Sequence, residues 1–134
     1  MTDFSDIKKI LITREELEET VKRLSEALNT DYKNKEVILV LILKGSFVFC
    51  ADLIRKLSFP VLVEMMKVSS YGAGTVSTGK LRIDLDIKTD IAGKDVLIVE
   101  DIIDSGNTLS KLKGLLESRD AASVRICTLL DKPE

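Results

Sequence analysis

One stretch of the chain joins an apolar run, three acids and a phosphate-sized turn in immediate succession. The apolar residues 96–99 are followed by the adjacent carboxylates Glu100 and Asp101. A third carboxylate, Asp104, leads into the Ser-Gly-Asn-Thr turn of residues 105–108 and then into a helical pattern. Open α/β sheets bind ligands at the carboxyl ends of their strands, and a helix N-terminus attracts phosphate through its backbone N–H groups. The stretch therefore predicts an α/β fold with an anion site at the end of this strand.

An ordinary buried strand followed by a helix cap is the alternative interpretation of the same stretch. It accounts for the apolar residues 96–99, and it accounts for Ser105 as a capping side chain. It does not account for three acids gathered where the strand ends. The functional interpretation is therefore favoured.

The rest of the chain alternates between apolar runs and amphipathic segments. Such alternation predicts right-handed crossovers and a mostly parallel central sheet flanked by helices. The alternating apolar and charged residues 81–87 suit an edge strand, the Gly-rich residues 70–80 suit a mobile loop, and residues 7–12 suit a short strand outside the main sheet. The expected helices are at about 14–29, 47–57 and 107–118, and the expected strands are at about 37–43, 61–69, 81–87, 96–99 and 123–130.

Composition excludes several classes of function. The chain has 134 residues, which suits a single domain, and a net charge of −2, which predicts no nucleic-acid partner. The longest apolar run, residues 37–43, is too short to cross a bilayer, and the first residues lack a secretory pattern. Cys50 and Cys127 are therefore interpreted as reduced core thiols of a cytoplasmic protein.

The chain contains no histidine, and this absence restricts the available chemistry. It removes Ser-His-Asp and Cys-His catalysis and any histidine-bound zinc. Carboxylates, lysines, hydroxyls and backbone amides remain. A bound metal ion is accordingly expected to be a hard cation such as Mg²⁺.

The wording of residues 99–109, Val-Glu-Asp-Ile-Ile-Asp-Ser-Gly-Asn-Thr-Leu, resembles the signature of the type I phosphoribosyltransferases, and within them the bacterial hypoxanthine-guanine branch. The resemblance implies a Rossmann-like core with an incomplete hood. It implies purine salvage, in which hypoxanthine or guanine reacts with phosphoribosyl pyrophosphate to give IMP or GMP and pyrophosphate. It also implies Mg²⁺ as cofactor and a homo-oligomer, dimer or tetramer, as the assembly.

The residues of the motif suit the parts of this substrate. Hydroxyl and backbone donors suit the 5′-phosphate, and the carboxylates of Glu100 and Asp101 suit the ribose hydroxyls and hydrated Mg²⁺. The resemblance implies that Asp104 lies near the purine N7 and acts as general base, whereas helix N-capping is its alternative role. The residues expected around ribose and the 5′-phosphate are Glu100, Asp101, Asp104, Ser105, Gly106, Asn107 and Thr108.

Three further segments take their roles from the resemblance. Lys44 and Gly45 would bind pyrophosphate, although an ordinary strand-to-helix turn is the alternative. Ser70 and Tyr71 would close over the site, although a surface loop is the alternative. Lys132 would read the purine 6-oxo group, although an exposed terminal lysine is the alternative.

Members of this family normally continue beyond the point that corresponds to Glu134. Residues 1–134 are therefore expected to form a single, C-terminally short core domain with a half-built purine pocket. This leaves two rival interpretations open: a non-catalytic sensor of phosphoribosyl pyrophosphate or nucleotide, and an inactive core fragment.

Overall fold

The computed structural model describes residues 14–43, 47–70, 81–103 and 107–131. Helices and strands alternate along these segments, as the apolar patterning predicts, except that the described strands at Val61–Ser70, Leu81–Leu85 and Asp95–Ile103 come in succession. Their bounds are α1 (Arg14–Asp31), β1 (Val37–Ile42), α2 (Phe47–Ile54), β2 (Val61–Ser70), β3 (Leu81–Leu85), β4 (Asp95–Ile103), α3 (Asn107–Glu117) and β5 (Ser123–Asp131). None of the described helices is long and apolar enough to span a membrane.

The five described strands form one sheet in the order β3-β2-β1-β4-β5. β1 pairs in parallel with β2 on one side and with β4 on the other, and β5 pairs in parallel with β4. β3 pairs antiparallel with β2 and lies at the edge. The prediction of a mostly parallel sheet with an edge strand that begins at Leu81 is confirmed, although this strand ends at Leu85 and not at Ile87.

Strand β1 is buried on both faces, which explains its unbroken apolar run. Its alternate side chains enter two separate clusters. Leu39 and Leu41 pack in the cluster beneath α1 and α2. Ile38 and Val40 pack in the cluster beneath α3. The molecule therefore has a three-layer arrangement with the sheet in the middle.

Helix α2 is shorter than its sequence pattern predicts, because it ends at Ile54 instead of continuing to about Leu57. The next residues tighten into a turn, in which Lys56 N donates to Leu53 O at 2.9 Å and Leu57 N donates to Ile54 O at 3.1 Å. Asn29 of α1 also bonds this turn, since its Nδ2 donates to Lys56 O at 3.0 Å. This bond comes from a distant helix, so a tertiary contact accompanies the early end of α2 and overrides its local pattern.

Strand β4 is longer than predicted, because it runs to Ile103 and not only to Val99. Its partner β5 continues to the same level, with Ile103 opposite Asp131. Glu100 and Asp101 therefore lie inside the paired strand and not after it. The strand predicted at residues 7–12 and the loop residues 71–80 lie outside the described part of the chain.

Candidate active site

The carboxyl ends of the four parallel strands lie at one edge of the sheet. β1 ends at Ile42, β2 at Ser70, β4 at Ile103 and β5 at Asp131. The β1–β2 ladder extends one residue further, since Leu43 N donates to Met66 O at 2.9 Å. Most of the residues predicted to act on substrate follow one of these four ends directly in the chain.

A crevice is expected between β1 and β4, because the chain leaves these adjacent strands toward opposite faces. The crossover after β1 uses α2, which packs in the cluster with Leu39. The crossover after β4 uses α3, which packs in the cluster with Val40. Open α/β sheets bind ligands at such a reversal of strand order. The topology therefore points independently to the same edge of the sheet at which Glu100 and Asp101 lie.

Glu100 lies in β4 on the side of the sheet that α3 covers. Side chains alternate along a strand, and Ile98, two residues earlier, is fully buried beneath α3. The Glu100 side chain itself is half-buried. The Glu100 carboxylate is thus held on a paired strand beside the crevice, and it is partly exposed at the edge of the sheet.

Helix α3 brings its N-terminus to the same edge. Leu112 and Leu116 are completely buried against the sheet and hold the helix there. Thr108 lies one turn before Leu112 and is partly buried. The first turn of a helix carries unpaired backbone N–H groups and the positive end of the helix dipole. This position suits a phosphate group.

Five of the predicted site residues fall within the described chain. Glu100 and Asp101 lie in β4, Asn107 and Thr108 open α3, and Ser70 ends β2. The structure therefore brings Glu100, Asp101, Asn107 and Thr108, which were predicted to bind ribose and phosphate, to one edge of the sheet. The other predicted site residues lie outside the described residues: Lys44, Gly45, Tyr71, Asp104, Ser105, Gly106 and Lys132.

Thr128 is a polar residue at this edge that the sequence reasoning missed. It lies opposite Glu100 in the β4–β5 register and is half-buried. Val124 and Ile126 pack beneath α3, so alternation places Thr128 on the same face as Glu100. The period-2 pattern of residues 124–128 identifies this face, but the pairing with β4 is not readable from the sequence.

The oxygen donors at the edge fit Mg²⁺. This ion keeps several of its waters and takes only one or two protein carboxylates together with substrate phosphates. The described residues contain no group of three or more His, Cys, Asp or Glu placed to hold a metal. The two acids of β4, Glu100 and Asp101, match the one or two carboxylates that such an ion takes.

The two cysteines are core residues, as predicted. Both are free and buried, and they share the cluster beneath α1 and α2. Burial raises the pKa of Cys50 and the pKa of Cys127 to about 11 each. Neither thiol supplies a thiolate nucleophile at neutral pH.

Residues 10–134 match the model of the phosphoribosyl transferase domain family. The hypoxanthine-guanine phosphoribosyltransferase of Streptococcus pneumoniae strain R6 is 48% identical over 130 residues, which are 97% of this chain and 72% of that protein. The hypoxanthine phosphoribosyltransferase of Buchnera aphidicola is 50% identical over 128 residues, which are 94% of this chain and 72% of that protein. The chain belongs to the hypoxanthine-guanine phosphoribosyltransferase family.

Solved structures agree with this family assignment. A crystal structure of a hypoxanthine phosphoribosyltransferase from Staphylococcus aureus superposes with a TM-score of 0.86 at 45% identity. The match covers 92% of this chain and 67% of that one. The predicted type I phosphoribosyltransferase fold is thereby confirmed, and the candidate active site lies at the carboxyl edge of its sheet.

Proposed function

We propose that this chain is the catalytic core of a purine salvage transferase. It converts hypoxanthine or guanine and phosphoribosyl pyrophosphate to IMP or GMP and pyrophosphate. The observation that carries the proposal is the continuity of β4 and α3, in which a strand bearing Glu100 and Asp101 leads to a helix N-terminus at the β1–β4 reversal. The relatives named for this activity match almost the whole chain.

Different residues at this edge bind different parts of the substrate. The N-terminus of α3, with Asn107 and Thr108, receives the 5′-phosphate together with Ser105 and Gly106. Glu100 and Asp101 accept hydrogen bonds from the ribose hydroxyls. The ribosyl carbon is thus held between two fixed points. Fixing a reactant in this way converts binding energy into a favourable orientation for attack.

In the transfer step, the bond from ribose C1′ to purine N9 forms and the bond from C1′ to the pyrophosphate oxygen breaks. Asp104, as general base, takes the proton that the purine loses at N7. Lys44 and Gly45 bind the departing pyrophosphate, and Lys132 donates to the purine 6-oxo group. Ser70 and Tyr71 close the site, because a cation-like ribosyl centre must be kept from water. Bound Mg²⁺ would neutralise charge on the pyrophosphate, with Glu100 and Asp101 holding its hydration shell.

The test is formation of IMP and GMP by the 134-residue chain from each base, phosphoribosyl pyrophosphate and Mg²⁺. We expect Asp104→Asn to lower kcat by roughly 10²- to 10⁴-fold, the usual contribution of a general base. Asp101→Asn should chiefly raise KM for phosphoribosyl pyrophosphate. Asp95→Asn is the matched control, because Asp95 lies at the amino end of the same strand.

The outcomes separate the rival interpretations. An unchanged kcat in Asp104→Asn would refute the general-base assignment. A folded chain that binds phosphoribosyl pyrophosphate and both purines without turnover would instead be a sensor. A folded chain that binds phosphoribosyl pyrophosphate but neither purine would be a core without a working base pocket.

The chain is also proposed to form a homo-oligomer through an apolar patch on the α2 side of the sheet. Phe47 and Val48 at the start of α2 are 55% and 66% exposed, and Val63 and Met65 of β2 are each 39% exposed. Val63 and Met65 lie opposite Leu39 and Leu41 of β1, so they share the face that α1 and α2 cover elsewhere. Identical patches satisfy each other in a two-fold contact, and a net charge of only −2 opposes such a contact weakly.

Sedimentation of paired variants tests this assembly. Val63→Lys should convert an oligomer to monomer, because it places a charge in the patch. Leu62→Lys is the control, since Leu62 is 51% exposed on the opposite face of the same strand. A wild-type chain that sediments as a monomer throughout the micromolar range would refute the proposal.

A cytoplasmic location is proposed as well. Its support is that Cys50 and Cys127 are free thiols in one cluster and form no disulfide. Disulfides are rare where cellular thiols are kept reduced. Fractionation of cells that express the chain with its natural sequence would test this location.

A further inference from the structure

The end of the β4–β5 strand pair places a hydroxyl beside a proposed ribose-binding acid. Glu100 of β4 and Thr128 of β5 are directly opposite each other in the parallel register. Neighbouring strands are about 4.8 Å apart, so side chains that share a face are within reach of each other. Alternation from Ile98 and from Ile126 puts both side chains on the face beneath α3. Both are half-buried.

At the other end of the same strand pair, a hydroxyl and a carboxylate in the same arrangement form a hydrogen bond. Asp95 of β4 and Ser123 of β5 are also directly opposite each other. There the Ser123 hydroxyl donates to Asp95 Oδ1 at 2.7 Å. In the β4–β5 register, Thr128 therefore has the same position relative to Glu100 that Ser123 has relative to Asp95. The two ends use opposite faces of the sheet, because Glu100 is an odd number of positions, five, after Asp95.

We infer that Thr128 is a positioning residue, whose hydroxyl fixes the Glu100 carboxylate for the ribose hydroxyls. Threonine suits this task, because its β-branched side chain has few χ1 rotamers and its hydroxyl donates to a carboxylate. A hydrogen bond to a charged acceptor is among the stronger ones in proteins. Glutamate has one more methylene than aspartate and therefore more rotamers to restrict. This role rests on the ribose-binding function proposed for Glu100.

Ligand pairs that differ only in the ribose hydroxyls test the role without turnover. The equilibrium Kd would be measured by calorimetry for GMP and for 2′,3′-dideoxy-GMP. Thr128→Val removes the hydroxyl and keeps the shape, and Thr128→Ser keeps the hydroxyl. We expect Thr128→Val to weaken GMP binding by roughly three- to tenfold, the range of one ordinary net hydrogen bond, because the lost contact acts on the ligand only through Glu100. Dideoxy-GMP should bind equally well to Thr128→Val and wild type.

Serine should restore most of the GMP affinity, because it returns the donor. In kinetics, the same contact should appear as a higher KM for phosphoribosyl pyrophosphate in Thr128→Val with kcat changed much less. Ser123→Ala is the matched control, since it removes the hydroxyl–carboxylate bond at the far end of the strand pair. That variant should be less thermally stable than wild type, with its GMP affinity unchanged.

Each result decides between the two hypotheses. Equal GMP affinity in wild type and Thr128→Val would overturn the positioning role and leave the proposed function intact. An equal loss of affinity for GMP and for the dideoxy ligand would also overturn it, because the effect would not pass through the ribose hydroxyls. A wild-type chain that binds neither ligand would overturn the proposed ribose site, and the role of Thr128 with it.

Discussion

Cys50 and Cys127 show how position decides the chemistry of a residue type. Cys50 lies on α2 and Cys127 on β5, and both are buried in one apolar cluster. Burial raises the pKa of each thiol to about 11, because the charged thiolate is poorly solvated there. The absence of histidine excludes only Cys-His catalysis, and burial removes the remaining possibility of a thiolate nucleophile.

Thiol labelling measures this burial. At pH 8 the native chain should react with a disulfide reagent at least about a hundredfold more slowly than the urea-unfolded chain, because its thiolate fraction and its access are both reduced. Stability should fall as pH rises above about 8.5, the ordinary thiol pKa, since only the unfolded thiols ionise there. Rapid native labelling of either cysteine would contradict the assigned burial.

Glu100 and Thr128 mark the limit of what sequence reasoning finds at a site. The acids and the turn after β4 are local in sequence, so their order could be interpreted directly. Thr128 becomes visible only when the β4–β5 register places it opposite Glu100. Such pairing is fixed by tertiary contacts between distant residues, and a single sequence does not record it.

At the scale of elements, α1 and β1 were predictable because their patterns are long and regular. The length of β4 and the end of α2 were not, because neighbouring elements decide them. β5 extends the pairing of β4 to Ile103. Asn29 of α1 receives a hydrogen bond from Ser58 N at 2.7 Å, in the turn that follows α2. Tertiary contacts override local propensity at such boundaries.

Helix α3 contains one glycine, Gly114, whose replacement should stabilise the fold. It is helical and exposed, and no atom lies within 4 Å of the position a Cβ would occupy. Gly114→Ala should raise the free energy of unfolding by about 0.5–1 kcal/mol, because alanine loses less backbone entropy in a helix. Chemical denaturation would measure the change. Gly93→Ala should instead be destabilising by about 1 kcal/mol, since Gly93 has φ +75°.

An ion pair between Asp86 and Arg119 joins the connection after β3 to the end of α3. Arg119 donates from Nη1 to Asp86 Oδ1 at 3.0 Å and from Nη2 to Asp86 Oδ2 at 2.8 Å. These bonds lower the pKa of Asp86 below its ordinary value, chiefly through the Arg119 side-chain hydrogen bond. A lowered pKa in the folded state means that the pair stabilises the fold above the unfolded pKa and ceases to do so as pH falls through the folded value.

Thermal melts of Asp86→Asn across pH test this pair. The variant should melt below wild type at pH 7, and the difference should begin to shrink below about pH 4, near the ordinary aspartate pKa, and vanish below the lowered pKa of the folded Asp86. Asp84→Asn is the comparison, because Asp84 has a single 2.9 Å contact with Arg82. Its effect on the melting temperature should be smaller. A difference for Asp86→Asn that persists at low pH would refute the electrostatic cause.

For the whole molecule, the central position of β1 determines how much each core residue contributes. Leu39 is 0% exposed and lies in the middle strand of the sheet. Leu39→Ala should lower the free energy of unfolding by about 2–5 kcal/mol, from lost burial and the cavity left behind. Leu62→Ala on the neighbouring strand should have a far smaller effect, because Leu62 is 51% exposed. Urea titration of both variants would show the contrast, and equal losses would contradict it.

The parallel arrangement of β1, β2, β4 and β5 also bears on how such a protein can change. The buried residues of both clusters stabilise the sheet, whereas the residues proposed to contact substrate lie at the strand ends or in the segments that follow them. A segment at this edge can therefore vary without repacking the interior. Exchange of the segment that follows β5, which carries Lys132, for that of a relative with another base preference is a practical route to altered purine selectivity, because the sheet and helices that carry it would remain the same.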